Sequence, residues 1–158
     1  MLKFFAPGIA FGIFALAGHP GMAQTATIED IRFHLFYEND GTLSEDLAKR
    51  KDLALFNTMI GEGDAKKPAS SFLVAASVRG AAESFDKAAA LTITVTTDDK
   101  KKSRVAEKAL GSGILFGSEG RVVKALFVPD RVCAPLLVTA KLKSGASKTL
   151  KLPFKCGG

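Results

Sequence analysis

Apolar and polar residues alternate along most of the chain with the two-residue period of half-buried strands. Over 28–37, Ile31, Phe33, Leu35 and Tyr37 fall on one face, with Arg32 and His34 on the other. Glu38-Asn39-Asp40-Gly41 then supplies turn chemistry. Over 90–97, Leu91, Ile93 and Val95 oppose Thr92, Thr94 and Thr96. Threonine suits the solvated side because its branched β-carbon favours extended backbone. The run 71–78 is apolar throughout and reads as a buried strand, and 105–110 reads as a further strand. The stretches 114–116 and 121–128 flank Gly117-Ser118-Glu119-Gly120, which predicts a hairpin.

Two segments depart from this period. Thr42-Leu43-Ser44-Glu45 matches a capping box and predicts a short helix over 43–50, with Leu43 and Leu47 on its thin apolar face. The stretch 53–60 is apolar enough for another strand. The expected fold is therefore all-β, an antiparallel β-sandwich of roughly seven to eight strands, immunoglobulin-like or related. Strand number and spacing are similar to those of immunoglobulin-like sandwiches. The sequence has no Trp for their usual buried position, and Cys133 and Cys156 lie too close together for their usual bridge between sheets.

The last hairpin constrains the register. Leu136, Val138, Ala140 and Leu142 form one face, and Leu150, Leu152 and Phe154 form the face of the returning arm. Both faces must lie on one side of the sheet. A loop centred on Gly145 pairs Leu142 with Lys148, Ala140 with Leu150, Val138 with Leu152 and Leu136 with Phe154. A bulge at Ala134-Pro135 would then bring Cys133 opposite Cys156 as a hairpin-spanning disulfide.

The N-terminus changes the picture of compartment. Lys3, an apolar run to Ala17, Pro20 and the small-x-small pattern Gly21-Met22-Ala23 read as a secretory signal peptide over 1–23. Residues 24–158 would form a single domain. The apolar run is too short to span a bilayer, and no transmembrane segment is expected in the mature chain. Export to the periplasm or the cell exterior suits a disulfide between the only two cysteines. The formal charge of +6 falls by one with the leader, a mild basicity that speaks to solubility and non-specific binding.

Candidate chemistry is sparse. Ile60-Gly-Glu-Gly-Asp-Ala-Lys-Lys-Pro-Ala-Ser70 has closely spaced glycines and two lysines but neither the Lys-Ser/Thr step nor the helix of a phosphate-binding loop. It reads as a turn in which Glu62 and Asp64 are the candidate cation ligands. The mature chain keeps one histidine, His34, which argues against imidazole metal sites and leaves a single base for a Ser-His-Asp arrangement. An EF-hand built on Gly41 would put Phe36 and Leu47 at ligand positions, which excludes it. No metal and no cofactor are expected. Lys100, Lys101, Lys102, Arg121 and Arg131 are candidates for an anion-binding patch. Nucleic acid is not an expected partner, because exposed stacking aromatics are not evident. These readings favour an exported, non-enzymatic interaction or accessory module, with an envelope protein as partner. The alternative is a binder of small or polymeric anions. A hydrolase built on carboxylates, or on a serine with His34, ranks third.

Overall fold

The structure is a computed structural model that describes residues 25–56, 63–129 and 133–156. The strands are β1 (Thr27–Tyr37), β2 (Thr42–Leu43), β3 (Leu55–Phe56), β4 (Ser71–Arg79), β5 (Ser84–Asp86), β6 (Leu91–Thr97), β7 (Arg104–Leu110), β8 (Ile114–Phe116), β9 (Arg121–Val128), β10 (Leu136–Leu142), β11 (Ser147–Leu152) and β12 (Phe154–Lys155). A 3-10 turn, Lys87–Ala89, joins β5 to β6. Two four-stranded antiparallel sheets, β2-β1-β4-β9 and β11-β10-β6-β7, form the sandwich. The leader expected over 1–23 lies outside the described residues.

The alternation read from the sequence sets the layers. Ile31, Phe33, Leu35 and Tyr37 of β1, Leu91, Ile93 and Val95 of β6, and Leu136, Val138, Ala140 and Leu142 of β10 are all buried between the sheets. β4 is central and buried along most of its length, as its unbroken apolar run implies. Phe33, Phe72 and Phe154 meet in the core with centroids 5.3, 6.1 and 5.8 Å apart.

Three expectations are corrected. First, residues 43–50 are not helical. Ser44 and Asp46 hydrogen-bond instead to the edge of β1: the Leu35 N–H donates to Ser44 Oγ at 2.9 Å and the Phe33 N–H to Asp46 Oδ1 at 3.1 Å. These short polar side chains offer backbone groups a partner outside a helix, which a capping pattern alone does not exclude. Second, β8 and β9 flank the expected turn but do not pair. β8 pairs with β5 and β9 with β4. The β4–β9 ladder bends at Gly80 and Gly120, where the Gly80 N–H donates to the Gly120 carbonyl at 2.9 Å, and the chain continues into β5 and β8. Third, the last hairpin is shifted by two residues from the expected pairing. Leu136 faces Leu152, Val138 faces Leu150 and Ala140 faces Lys148.

The reason for the shift is the turn. The Gly145 N–H donates to the Leu142 carbonyl at 2.9 Å, and Gly145 takes φ +101°. A left-handed glycine at the end of a three-residue loop fixes this shorter register. The parity, and so the buried face, is unchanged. Pro153 then interrupts the arm, and Phe154 pairs beside Leu55 in a short parallel ladder between β12 and β3. Of the strand expected over 53–60, only Leu55–Phe56 (β3) is extended among the described residues, 53–54 are not in a strand, and 57–60 lies outside the described residues.

Gly80 has no room for a side chain, since an added Cβ would sit 2.5 Å from the buried ring of Phe116. Gly80→Ala should lower stability by about 1–3 kcal/mol, the usual range for overpacking. Urea unfolding monitored by circular dichroism measures this, and an unchanged midpoint would overturn the tight corner. Phe154→Ala should cost about 3–5 kcal/mol by the same measurement.

Candidate functional site

The outer face of the β2-β1-β4-β9 sheet is divided in two. At one end, apolar side chains face solvent. Leu43 on β2 is 45% exposed and Phe127 on β9 is 47% exposed, while Val123, 44% exposed, lies further along β9 opposite Ser77, beside the charged end. Phe36 pairs with Leu43 across β1–β2 and meets Phe127 edge-on, with ring centroids 5.6 Å apart. Leu73 and Ala125 share this face by register. The strip runs from β2 to the free edge of β9.

At the other end the face is charged and internally neutralised. Glu29 pairs with Arg79 and, at 2.8 Å, with Arg121, and Asp30 lies 3.7 Å from Arg121. Hydrogen bonding to Arg79 first, and then the charge of both arginines, holds the Glu29 carboxyl below the usual range. Arg121 also donates to Ser77 Oγ at 3.1 Å.

The proposed basic patch is divided between ends. Lys100, Lys101 and Lys102 sit together on the β6–β7 turn. Asp99 organises that turn, accepting from the Thr97 hydroxyl at 2.8 Å and from the Lys102 N–H at 2.8 Å, and these bonds lower its pKa. Arg121 lies at the opposite end, where Glu29 also accepts at its carbonyl from Lys148. Lys148 pairs with Ala140, four residues along β10 from Leu136, which faces Thr97. Arg131 lies outside the described residues.

The lysine-bearing loop after Gly63 is clamped to the end of β1. Glu38 Oε1 accepts from the hydroxyls of Ser70 and Ser71, each at 2.6 Å, and from both of their N–H groups at 3.0 Å. Desolvation pushes the Glu38 carboxyl up, but these bonds outweigh it and hold it down at about 2, against an ordinary 4.5. Asp40 is likewise held down to about 2, chiefly by Lys67, then by Thr42. Lys67 also lies 5.5 Å from the Tyr37 ring centroid, and Lys66 lies 3.5 Å from Glu45. Both lysines are engaged by acids beside a cavity of about 240 Å³, so the loop is a clamp and not an open phosphate cradle. Asp64 pairs with Arg50 and accepts from the Ala54 N–H at 2.7 Å. Glu62 lies outside the described residues.

His34 Nδ1 lies 2.9 Å from the Ser44 carbonyl. The Ser44 hydroxyl itself donates to the Glu45 carbonyl, so it forms no nucleophile–base pair with His34. Among the described residues no group of three metal-ligating side chains is present. Cys133 and Cys156 are bridged, with Cα atoms 4.7 Å apart. The bridge joins the segment entering β10 to the segment leaving β12, and so lies beyond the β10–β11 ladder rather than across it. The apolar strip was missed in the sequence reading. Its signal was β9 itself, where Val123, Ala125 and Phe127 alternate with Val122, Leu126 and Val128 and leave both faces apolar.

The chain is thus an antiparallel all-β sandwich. No protein-family model matches it, and no curated protein matches it. Among solved structures it is similar to the soluble domain of PmoD from Methylocystis sp. ATCC 49242 (Rockwell), with 12% identity and a TM-score of 0.41, covering 86% of this chain and 98% of that one. No helix among the described residues is long and apolar enough to cross a membrane.

The Glu38 clamp predicts an acid dependence. A carboxyl lowered by folding stabilises the fold above its unfolded value, and that contribution is lost as pH falls from about 4.5 towards about 2. Glu38→Gln should flatten the acid limb of stability in this window and speed amide exchange at Ser70 and Ser71. An acid limb unchanged by the substitution would remove Glu38 from this role.

Proposed function

We propose that the chain is an exported, non-enzymatic β-sandwich that serves as a protein-interaction or accessory module in the cell envelope. The supporting observation is the exposed apolar cluster of Leu43, Phe36 and Phe127 on one outer face, extended along the edge strand β9 by Ala125 and Val123. The other outer face carries Thr92, Thr94, Thr96, Thr139 and Thr149 at the corresponding positions, an ordinary solvated surface. Burying a large apolar side chain contributes roughly 1.5–3 kcal/mol, so a few such residues suffice to favour a partner over water. The partner is another envelope polypeptide that covers this strip. The leader over 1–23 would deliver the domain to the periplasm or beyond, where the Cys133–Cys156 bridge persists.

A photoreactive phenylalanine analogue at position 127, expressed in the native host, should give an adduct of one discrete mass. The same analogue at Thr139, on the opposite face, should give none. Adducts from both positions alike, or from neither, would overturn the docking face. Intact mass of the exported protein should correspond to a chain beginning at Gln24, and a chain retaining Met1 would overturn the leader.

A further inference from the structure

We infer that the partner docks as an extended segment that pairs with β9 as an added strand and places an acidic side chain opposite Lys124. This rests on the docking-face reading above and specifies its chemistry.

The hydrogen-bond phase of the sheet carries the argument. Directly opposed residues of an antiparallel pair alternate between exchanging both backbone bonds and exchanging none. Phe33 and Leu35 of β1 turn their backbone groups away from β4. The Phe33 N–H donates to Asp46 and its carbonyl accepts from the Leu47 N–H, while the Leu35 N–H donates to Ser44 Oγ and its carbonyl accepts from the Ser44 N–H. Their opposite residues on β4, Val74 and Phe72, therefore turn their own groups towards β9, where they face Leu126 and Val128. By the same alternation Lys124 and Val122 also bond inward to β4. Val123, Ala125 and Phe127 are left with their N–H and carbonyl groups at the free edge. These are the same residues that carry the exposed apolar side chains at that edge.

The two edges of this sheet are treated differently. The edge of β1 is covered by residues 44–47, through the bonds just described. Among the described residues no hydrogen bond reaches the far edge of β9. An eight-residue edge with free backbone groups and apolar side chains can accept another strand.

Charge decides which strand. Lys124 faces Ala76 and lies on the core side of the sheet, and Lys108 on the neighbouring edge strand β7 faces Ile93 in the same sense. Neither lysine has a carboxylate partner among the described residues, and no acid lies on β9. A second copy of this chain is disfavoured. Self-pairing centred on Lys124 sets two ammonium groups face to face, and self-pairing centred on Ala125 keeps them on adjacent diagonal positions. A segment with apolar residues at alternate positions and one Asp or Glu between them meets Val123, Ala125 and Phe127 on the outer side and Lys124 on the inner side.

The test uses the whole mature protein and a synthetic peptide in which valine alternates with threonine and one central threonine is replaced by glutamate. Binding should slow amide exchange at Val123, Ala125 and Phe127. A lysine in place of the glutamate should weaken binding about fivefold, the roughly 1 kcal/mol of a cross-strand charge pair, and Lys124→Glu should reverse that preference. Ala125→Pro removes an edge-facing N–H while sparing the ladder to β4, and should abolish binding. N-methylation of peptide residues that face β9, but not of those that face away, should do the same without altering the protein.

Unprotected amides, or equal binding of the glutamate and lysine peptides, would overturn strand addition. If the position-127 adduct persists under that result, the docking face stands and only its mode fails. Concentration-dependent protection of the same amides without peptide would assign the edge to a second copy and overturn the acidic-partner inference.

Discussion

The packing of Phe33, Phe72 and Phe154 is the contact on which the rest of the molecule depends. Phe33 and Phe72 come from the two central strands of one sheet, and Phe154 comes from the end of the chain, beyond the last strand of the other. A sandwich needs its two inner faces to interdigitate, and here a residue that has left its own ladder does part of that work. Pro153 makes the departure possible because it cannot continue the ladder as a donor. Once Phe154 is seated, β12 lies beside β3, and Cys156 is carried to Cys133. The disulfide therefore fixes a closure that the aromatic packing sets up.

The layers were legible in the sequence because alternation is a local signal. Each buried position of β1, β6 and β10 follows from the period of its own strand. What was not legible depended on choices between partners. The polar groups of 44–46 could cap a helix or hold a strand edge, and only the free backbone groups of Phe33 and Leu35 decide between the two. The turn Gly117–Gly120 was correctly read as a turn, but a turn does not say whether its arms pair with each other. The corner at Gly80 sends them to different partners. In the last hairpin, face parity was right and register was off by two, because parity cannot distinguish a loop ending on Gly145 from one centred on it. The disulfide followed from compartment and count. Its reasoned position, across the hairpin, did not, because that depended on the register.

The candidate site was less legible still. Basic charge along the chain singles out Lys100–Lys102 and Arg121, but the fold places them at different ends and gives Arg121 to Glu29 and Asp30. The glycines and lysines of 60–70 resemble a ligand loop, but the fold uses Glu38 and Asp40 to fasten its Lys67–Ser70 part to β1. Arg121 and the lysines of the loop are thus engaged in holding the molecule together, while the ammonium groups of Lys100–Lys102 stand on an exposed turn away from them. The exposed strip on β9 was hidden for the opposite reason: apolar residues on both faces resemble a buried strand when neighbours are unknown.

The placement of lysines explains how such an edge can remain open. Each of three edge strands carries one on the side facing the core: Lys108 on β7, Lys124 on β9 and Lys148 on β11. A charge pointing inward at an edge discourages an identical strand from continuing the sheet, which is one way natural sheets avoid aggregation. Lys148 is answered within the chain by the Glu29 carbonyl. Lys124 has no carboxylate among the described residues, and the apolar row beside it is exposed. On the proposed strand addition, the residue that would repel a copy of the chain would also attract a strand bringing a negative charge, so exclusion of self and selection of partner would arise from one side chain.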